Sequence, residues 1–228
     1  MESSERALGR KPTRELILDV AERCFAERGF RGVSVREIAA EVGLKNQASL
    51  YHHFRNKRAL YEAVLARGVA ALVELVAAGA PVDRQSTDYR TVVEETLDRV
   101  FDYLLQHPHL PRLIQRAGMD DVQVFRGTLA RLLRPLFQQG LGVLAVAGVP
   151  WRREELPHLA AGLYHLIFGY FANERLLSLV GDGDWLDAAV VARQRRFLKA
   201  AIGALLGVRD VGDIKMLRAV PGASRVKT

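Results

Sequence analysis

The chain has 228 residues, of which 49% are hydrophobic and 26% are charged, a composition that is typical of a globular protein and excludes a chain disordered throughout. Its formal net charge is +7 at pH 7, and its only cysteine is Cys24, which excludes an internal disulfide and a cysteine-based zinc site. The sequence has no run of about 18 uncharged apolar residues, and residues 1–15 are too polar for a signal peptide. We therefore expect a cytoplasmic protein without a membrane partner.

The charge is distributed unevenly along the chain. Residues 1–70 carry 13 Lys and Arg against 9 Asp and Glu, residues 71–192 carry 11 against 15, and residues 193–228 carry 9 against 2. A polyanion is therefore expected to bind at one of the basic ends. At the C-terminal end, a solvated charged face explains the same pattern equally well.

Apolar residues recur with the 3.6-residue period of an α-helix from Thr13 to about Leu206, whereas strand signals are almost absent. We therefore predict an all-α fold. The first helix should begin at Thr13 and end at Gly29, because glycine suits the left-handed position after a helix. This places Cys24 in the core rather than in a reactive site.

Two short helices are predicted next. In "SVRE", Ser34 and Glu37 have the spacing of a capping box, which begins a helix that Gly43 should end. A third helix, over about 47–53, should bury Leu50 and Phe54, and a fourth should open near residue 56. Three helices with a glycine turn between the second and third are typical of a helix-turn-helix.

Longer helices are predicted over 89–106, 110–116, 122–147, 154–180 and 186–206. Pro135 lies inside the third of these and should kink or interrupt it. The domains expected are a helix-turn-helix domain at 1–57, which includes a basic arm at 1–12, a larger helical domain at 58–207 and a flexible tail at 208–228.

The third helix presents an unusual outward face. With Leu50 and Phe54 inward, its outward side chains are small or hydrogen-bonding: Gln47, Ala48, Ser49, Tyr51, His52 and His53. Such a helix fits the major groove of double-stranded DNA, where amides pair with adenine and hydroxyls with phosphate oxygens. Lys57, at the start of the fourth helix, would add a phosphate contact.

Two other interpretations of this helix fit its residues less well. A metal site needs ligands on one helical face, but the adjacent His52 and His53 diverge by about 100°. An ordinary core helix accounts for Leu50 and Phe54 but leaves the polar face unexplained. No metal ligand set and no cofactor are predicted.

The segment "TRELILDVAERCFAERGFRGVSVREIAAEVGLKNQASLYHHFRNKRALYEAVL" resembles the N-terminal DNA-binding domain of TetR-family transcriptional regulators, above all in "IAAEVG" and "LYHHFRNKRAL". The resemblance implies an all-helical homodimer that binds a palindromic operator, most often as a repressor. It also implies that a small-molecule effector, bound by the C-terminal domain, releases the DNA.

The resemblance also implies which residues contact DNA. Matched by position, these are Ser34, Arg36, Ser49, Tyr51, His52 and Lys57, to which the outward face adds Gln47. Seven residues separate Gly43 from Tyr51, one more than is usual in the family, so the intervening residues do not align. Asn46 is therefore either a base contact or a simple helix cap. Arg10 and Lys11 would form a minor-groove arm or a disordered basic start.

In the family, the last two long helices form the dimer interface, and the wide apolar surface of helix 154–180 suits this arrangement. A monomer with a thick core is the alternative. An apolar or amphipathic effector is expected to bind apolar and aromatic side chains of the middle helices: Phe101, Leu105, Leu113, Phe125, Leu129, Tyr164 and Phe168.

No glycine-rich phosphate loop, nucleophile elbow or metal-ligand spacing is present, so the chain is not expected to be an enzyme and no catalytic residue is assigned. The alternative function is a helix-turn-helix adaptor that contacts proteins without binding DNA.

Overall fold

A computed structural model describes residues 13–79, 89–120, 122–146, 149–181 and 183–207. Those residues form α-helices and no strands, which confirms the predicted all-α fold. The helices are α1 (Thr13–Arg28), α2 (Val35–Val42), α3 (Gln47–Tyr51), α4 (Lys57–Ala78), α5 (Tyr89–Gln106), α6 (Leu110–Met119), α7 (Val122–Val146), α8 (Leu156–Ala172), α9 (Glu174–Val180) and α10 (Ala188–Leu205). The 3-10 helix Arg153–Glu155 directly precedes α8. The predicted arm at 1–12 and tail at 208–228 lie outside the described residues.

The helices pack into two compact units that do not follow the order of the chain. The first combines the described residues of Met1–Leu72 with His107–Pro135, and the second combines Val73–Gln106 with the described residues from Leu136 onward. The domain boundaries expected at residues 57 and 207 remain a prediction. Each unit is described separately below.

An aromatic cluster forms much of the core of the first unit. Tyr61 of α4 stacks on Phe125 of α7 with ring centroids 4.4 Å apart, and Phe25 meets Tyr61 edge to face at 4.9 Å. Phe30 contacts both Tyr61 and Phe125, at 5.3 and 4.8 Å. Four rings from three helices and a turn therefore hold α1, α4 and α7 together through large buried surfaces and favourable ring geometries.

A charged cluster joins α1 to α4 beside this core. Arg67 donates hydrogen bonds to Glu15 at 3.2 Å, to Asp19 at 2.8 Å and to Glu22 at 3.0 Å. The Glu22 side chain is only 6% exposed. Because an unpaired buried carboxylate is costly, the guanidinium is a structural requirement of this helix pair.

Close approach of α4 and α6 depends on a glycine. A Cβ added at Gly68 would lie 2.3 Å from Cδ1 of Leu110, so no larger residue fits there without movement. Cys24 is buried, as predicted, and donates to Oε2 of Glu41 at 3.1 Å. Burial, with that hydrogen bond, raises the pKa of the Cys24 thiol, which favours an unreactive structural residue.

The second unit is organised around Phe101 of α5. Its ring packs edge to face on Phe171 of α8 at 5.0 Å, and the guanidinium of Arg195 on α10 lies 4.8 Å from the centroid of the Phe101 ring. Arg195 also donates to Asp98 at 3.1 Å, and Lys199 donates to Asp98 at 2.6 Å. Burial raises the pKa of Asp98, but these two cations outweigh it and leave the pKa below its ordinary value. The charged network therefore fastens α10 to α5.

The predicted helix over 154–180 is divided in the structure. It begins as the 3-10 turn and is interrupted at Asn173, whose backbone ψ is 14° and whose side chain donates to the Gly169 carbonyl at 2.9 Å. A short polar side chain that bonds its own helix competes with the helical backbone ladder. By contrast, α7 continues past Pro135, so the proline does not end the helix. Among the described residues, no helix is both long enough and apolar enough to cross a membrane.

Candidate nucleic-acid interface

Helix α2 is capped at both ends. At the start of α2, the Ser34 Oγ accepts from the Glu37 amide at 3.2 Å, and Glu37 accepts from the Ser34 amide at 2.7 Å. At its end, Gly43 has φ 79°, a left-handed conformation that favours glycine. The predicted capping box and glycine stop are both confirmed.

Glu37 also ties α2 to α1. Arg28, the last residue of α1, donates to Oε1 of Glu37 at 2.6 Å. Hydrogen bonds from the Ser34 side chain and amide, and then from Arg28, lower the pKa of Glu37 to about 2. A carboxylate that stays ionised holds the start of α2 in place, because it can accept from both neighbours.

Asn46 is the cap of α3. Its Oδ1 accepts from the Ser49 amide at 3.0 Å and from the Ser49 hydroxyl at 3.2 Å. Of the two roles that the sequence left open for Asn46, the structure shows the helix cap. Helix α3 begins at Gln47, as predicted.

The outward face of α3 has the composition that the sequence predicts. Leu50 is fully buried and Phe54 is 5% exposed, so they anchor the helix. Gln47, Tyr51 and His52 are exposed, and Ser49 is half-buried. The helix therefore offers an amide, a phenol and an imidazole to a partner while its apolar side stays inside the unit.

The remaining predicted contacts flank this face. Ser34 and Arg36 are exposed at the start of α2, and Lys57 is half-buried at the first turn of α4. Asn56 caps α4, since its Oδ1 accepts from the Ala59 amide at 2.8 Å. The Lys57 ammonium lies 4.5 Å from the centroid of the Phe30 ring, a cation–π contact. Arg10 and Lys11 lie outside the described residues.

Phe30 is a residue of this region that the sequence reasoning missed. It belongs to the turn after α1, and the only local signal is its position directly after the helix-ending Gly29, which has φ 73°. Arg28 was missed for a similar reason, because its partner Glu37 is nine residues away. Neither pairing follows from the periodicity of a single helix.

Within the described residues, His52 and His53 do not belong to a group of side chains that could bind a metal ion. Both His52 and His53 are exposed. Across the part of the chain that the structure describes, no group of three or more His, Cys, Asp or Glu side chains is placed to hold a metal ion.

The candidate effector residues are divided between the two units. Leu113, Phe125 and Leu129 belong to the first unit, where Leu113 and Phe125 are fully buried and Phe125 is part of the aromatic cluster. Phe101, Leu105, Tyr164 and Phe168 belong to the second, where Tyr164 stacks on Phe168 at 4.7 Å. Burial raises the pKa of Tyr164, so its phenol stays neutral. The assignment of these seven residues to an effector site stays a prediction.

The helices expected to form a dimer interface expose several apolar side chains. Phe197 on α10 is 47% exposed, and on α9 Leu176, Leu179 and Val180 are each more than half exposed. On α8, a Cβ added at Gly162 or Gly169 would meet nothing within 4 Å inside the chain. Apolar surface of this extent is typical of a face that another molecule covers.

Residues 17–64 match the family described as bacterial regulatory proteins, tetR family. The chain is 40% identical over 72 residues to the HTH-type transcriptional repressor AcnR of Corynebacterium glutamicum, a match that covers 31% of this chain and 38% of AcnR. It is 34% identical over 107 residues to the HTH-type transcriptional activator FasR of Mycolicibacterium smegmatis, and this match covers 47% of each protein. The chain therefore spans less than half the length of either relative.

A similar fold occurs in a TetR-family transcriptional regulator from Streptomyces coelicolor. The TM-score is 0.55 at 22% identity, and the likeness covers 92% of this chain and 88% of that one. At this identity the likeness shows the fold alone. The family match over residues 17–64 confirms the resemblance found in the sequence, and the relatives that the chain matches are named transcription regulators.

Proposed function

With a TetR-family DNA-binding domain at residues 17–64 as the premise, we propose that this protein represses transcription by binding a palindromic DNA operator as a homodimer, and that a small molecule releases it. The observation that carries the proposal is the exposed polar face of α3, which lies beside Lys57 and is anchored by the buried Leu50. DNA-binding regulation is common to the family, whereas the operator, the dimer and the effector are proposed for this chain.

In the proposed complex, α3 lies in the major groove. The Gln47 amide can donate and accept at once, which matches the N6 and N7 edge of adenine. Tyr51, one turn after Gln47, and His52, which follows the end of the helix, are also exposed and can contact bases or phosphates. Base contacts of this kind determine which sequence is bound.

Contacts to phosphates come from the flanking residues. The Ser34 hydroxyl accepts from the Glu37 amide and donates to the Glu37 carboxylate, so its proposed phosphate contact requires that its single proton turn from Glu37 to a phosphate oxygen. Arg36 on α2 and Lys57 on α4, the helices before and after α3 in the chain, add positive charge. These contacts orient the domain on the duplex without reading its sequence.

The homodimer is proposed to form through α8 and α10. Phe197 is an aromatic side chain that leaves nearly half its surface exposed, and the unobstructed glycines of α8 allow a second helix to approach closely. A two-fold dimer would present two α3 helices to two half-sites, which is why a palindromic operator is expected.

The effector is proposed to be apolar or amphipathic. In the second unit, the Tyr164 and Phe168 rings provide stacking surface, and the neutral Tyr164 hydroxyl can bond one polar atom of a ligand. An effector releases DNA only if it has a higher affinity for the protein conformation that does not bind DNA than for the one that does. A coupling of about 5- to 150-fold in operator affinity is the usual range.

Repression is proposed rather than activation because AcnR, the relative of higher identity, is named a repressor. FasR, which is named an activator, shows that the same domain type also occurs in the opposite role.

The test is an electrophoretic mobility shift with DNA from upstream of the protein's own gene, in the presence of excess mixed-sequence competitor. A retarded complex that survives the competitor supports the proposal. Binding that the competitor abolishes, or no binding at all, would favour the adaptor alternative instead.

A further inference from the structure

Lys57 is held in position by an aromatic ring before any DNA is bound. Its ammonium lies 4.5 Å from the centroid of Phe30. The face of an aromatic ring carries negative potential and attracts a cation, more strongly where water is partly excluded. Both residues are half-buried, so the contact lies at the edge of the unit, where a phosphate can approach the ammonium from the solvent side.

Phe30 is itself held by other rings of the aromatic cluster. It meets Tyr61 at 5.3 Å with an interplanar angle of 76°, and Phe125 at 4.8 Å with an angle of 82°. Both neighbours are fully buried. The preceding Gly29 sets where the chain leaves α1, with φ 73° and a hydrogen bond from its amide to the Phe25 carbonyl. Because the Phe30 ring starts from this fixed backbone and packs against its neighbouring rings, it has little freedom to turn.

We infer that Phe30 is a positioning residue for DNA binding: its ring orients the Lys57 ammonium toward the phosphate backbone. This inference rests on the proposed function, in which Lys57 contacts a phosphate. A free lysine side chain has four rotatable bonds, and a contact that restricts them before binding lowers the entropic cost of the complex. A purely structural Phe30 would contribute apolar surface, which leucine also supplies, whereas only an aromatic ring attracts the cation.

The test measures binding of purified full-length variants to a fluorescently labelled mixed-sequence DNA duplex of about 30 base pairs at low salt. An operator is not needed, since phosphate contacts are independent of sequence. The variants are Phe30→Leu, Phe30→Tyr, Lys57→Ala and the Phe30→Leu/Lys57→Ala double variant. Phe25→Leu is the matched control, because it removes a ring of the same cluster that contacts Phe30 and Tyr61 but does not carry the Lys57 contact.

We expect Phe30→Leu to weaken binding by about 2- to 5-fold for each DNA-binding domain, the range of an exposed cation–π contact. Phe30→Tyr should retain wild-type affinity, because tyrosine keeps the ring face. The double variant should bind no more weakly than Lys57→Ala alone, since both changes remove the same contact. Phe25→Leu should lower the melting temperature without a matching loss of DNA affinity.

Wild-type affinity in folded Phe30→Leu would overturn the inference. The inference would also be overturned if the double variant lost DNA affinity by the product of the two single-variant losses, because the two side chains would then act separately. If the wild-type protein bound no DNA at low salt, the proposed function itself would fail, which is a different result from normal binding that does not depend on Phe30.

Discussion

Asn46 and Ser49 are joined by two hydrogen bonds at the start of α3. The Asn46 oxygen accepts from both the Ser49 amide and the Ser49 hydroxyl, at 3.0 and 3.2 Å. A backbone N–H can only donate, so the oxygen of the Asn46 amide and not its nitrogen must face Ser49. The sequence predicts that the Ser49 hydroxyl contacts DNA. Because this hydroxyl donates its proton to Asn46, it can only accept a hydrogen bond from a further partner.

Replacing Asn46 by Ala should destabilise the protein by about 1 kcal/mol, because the amide of Ser49 loses its cap. Asn46→Ser keeps a capping oxygen and should remain close to the wild type. Urea denaturation of both variants measures the difference. Equal stability of the two would show that the cap contributes little in this short helix.

Arg67→Ala should lower the free energy of unfolding by about 3 kcal/mol, because it leaves the buried Glu22 carboxylate without its guanidinium. Glu22→Gln in the Arg67→Ala background should restore part of the loss by removing the charge. Urea denaturation followed by circular dichroism checks both variants. If the second substitution deepened the loss, packing rather than charge would explain the cluster.

The capping box of α2 should respond to acid through Glu37. Its pKa in the folded chain is about 2, below the ordinary value of 4.5. A lowered folded-state pKa means that the stabilisation is complete above the unfolded-state value and is lost as the pH falls toward the folded-state value. The contribution of Glu37 should therefore be constant above about pH 5 and decline from there to about pH 2.

Glu37→Gln isolates this effect, since glutamine also closes a capping box but carries no charge. The wild type should have the higher melting temperature near pH 7, and the difference should shrink near pH 2.5. Other carboxylates titrate in both proteins and cancel in the comparison. A difference that did not change with pH would show that the Glu37 charge does not stabilise the fold.

Phe197→Asp should convert the proposed dimer to monomers, because it introduces a charge into an interface from which water is excluded. The side chain is 47% exposed within the chain, so the substitution leaves the core of the unit largely intact. Leu166→Asp and Ala201→Asp, on half-buried positions of α8 and α10, should act in the same direction. Sedimentation velocity at micromolar concentration gives the result, and a wild-type monomer would refute the proposed interface.

Much of the fold is predictable from the sequence because its signals are local. The capping box at Ser34, the glycine stops at Gly29 and Gly43, and the limits of α5 depend on residues within one or two turns. The sequence does not predict that the helix over 154–180 is divided at Asn173, because the apolar pattern continues on both sides of this residue. The interruption coincides with a hydrogen bond from the Asn173 side chain to the Gly169 carbonyl.

The candidate interface was predictable only in part. The outward face of α3 follows from the helical period once Leu50 and Phe54 are placed inward. The contact of Lys57 with Phe30 depends on how α4 packs against the turn after α1, and no spacing in the sequence reveals it. Hydrophobicity likewise does not separate core residues from ligand-binding ones, as the full burial of Phe125 among other rings illustrates.

The central claim, that α3 reads a DNA sequence while Lys57 binds its backbone, is tested most directly by fluorescence anisotropy of two variants on two duplexes. One duplex carries the upstream sequence that stays bound in the presence of competitor, and the other carries a mixed sequence of equal length. Gln47→Ala should cost roughly 1 to 3 kcal/mol on the first and little on the second. Lys57→Ala should weaken both about equally and reduce the salt slope by about one for each domain. Equal losses on both duplexes for Gln47→Ala would contradict the assignment of α3 as the reading helix.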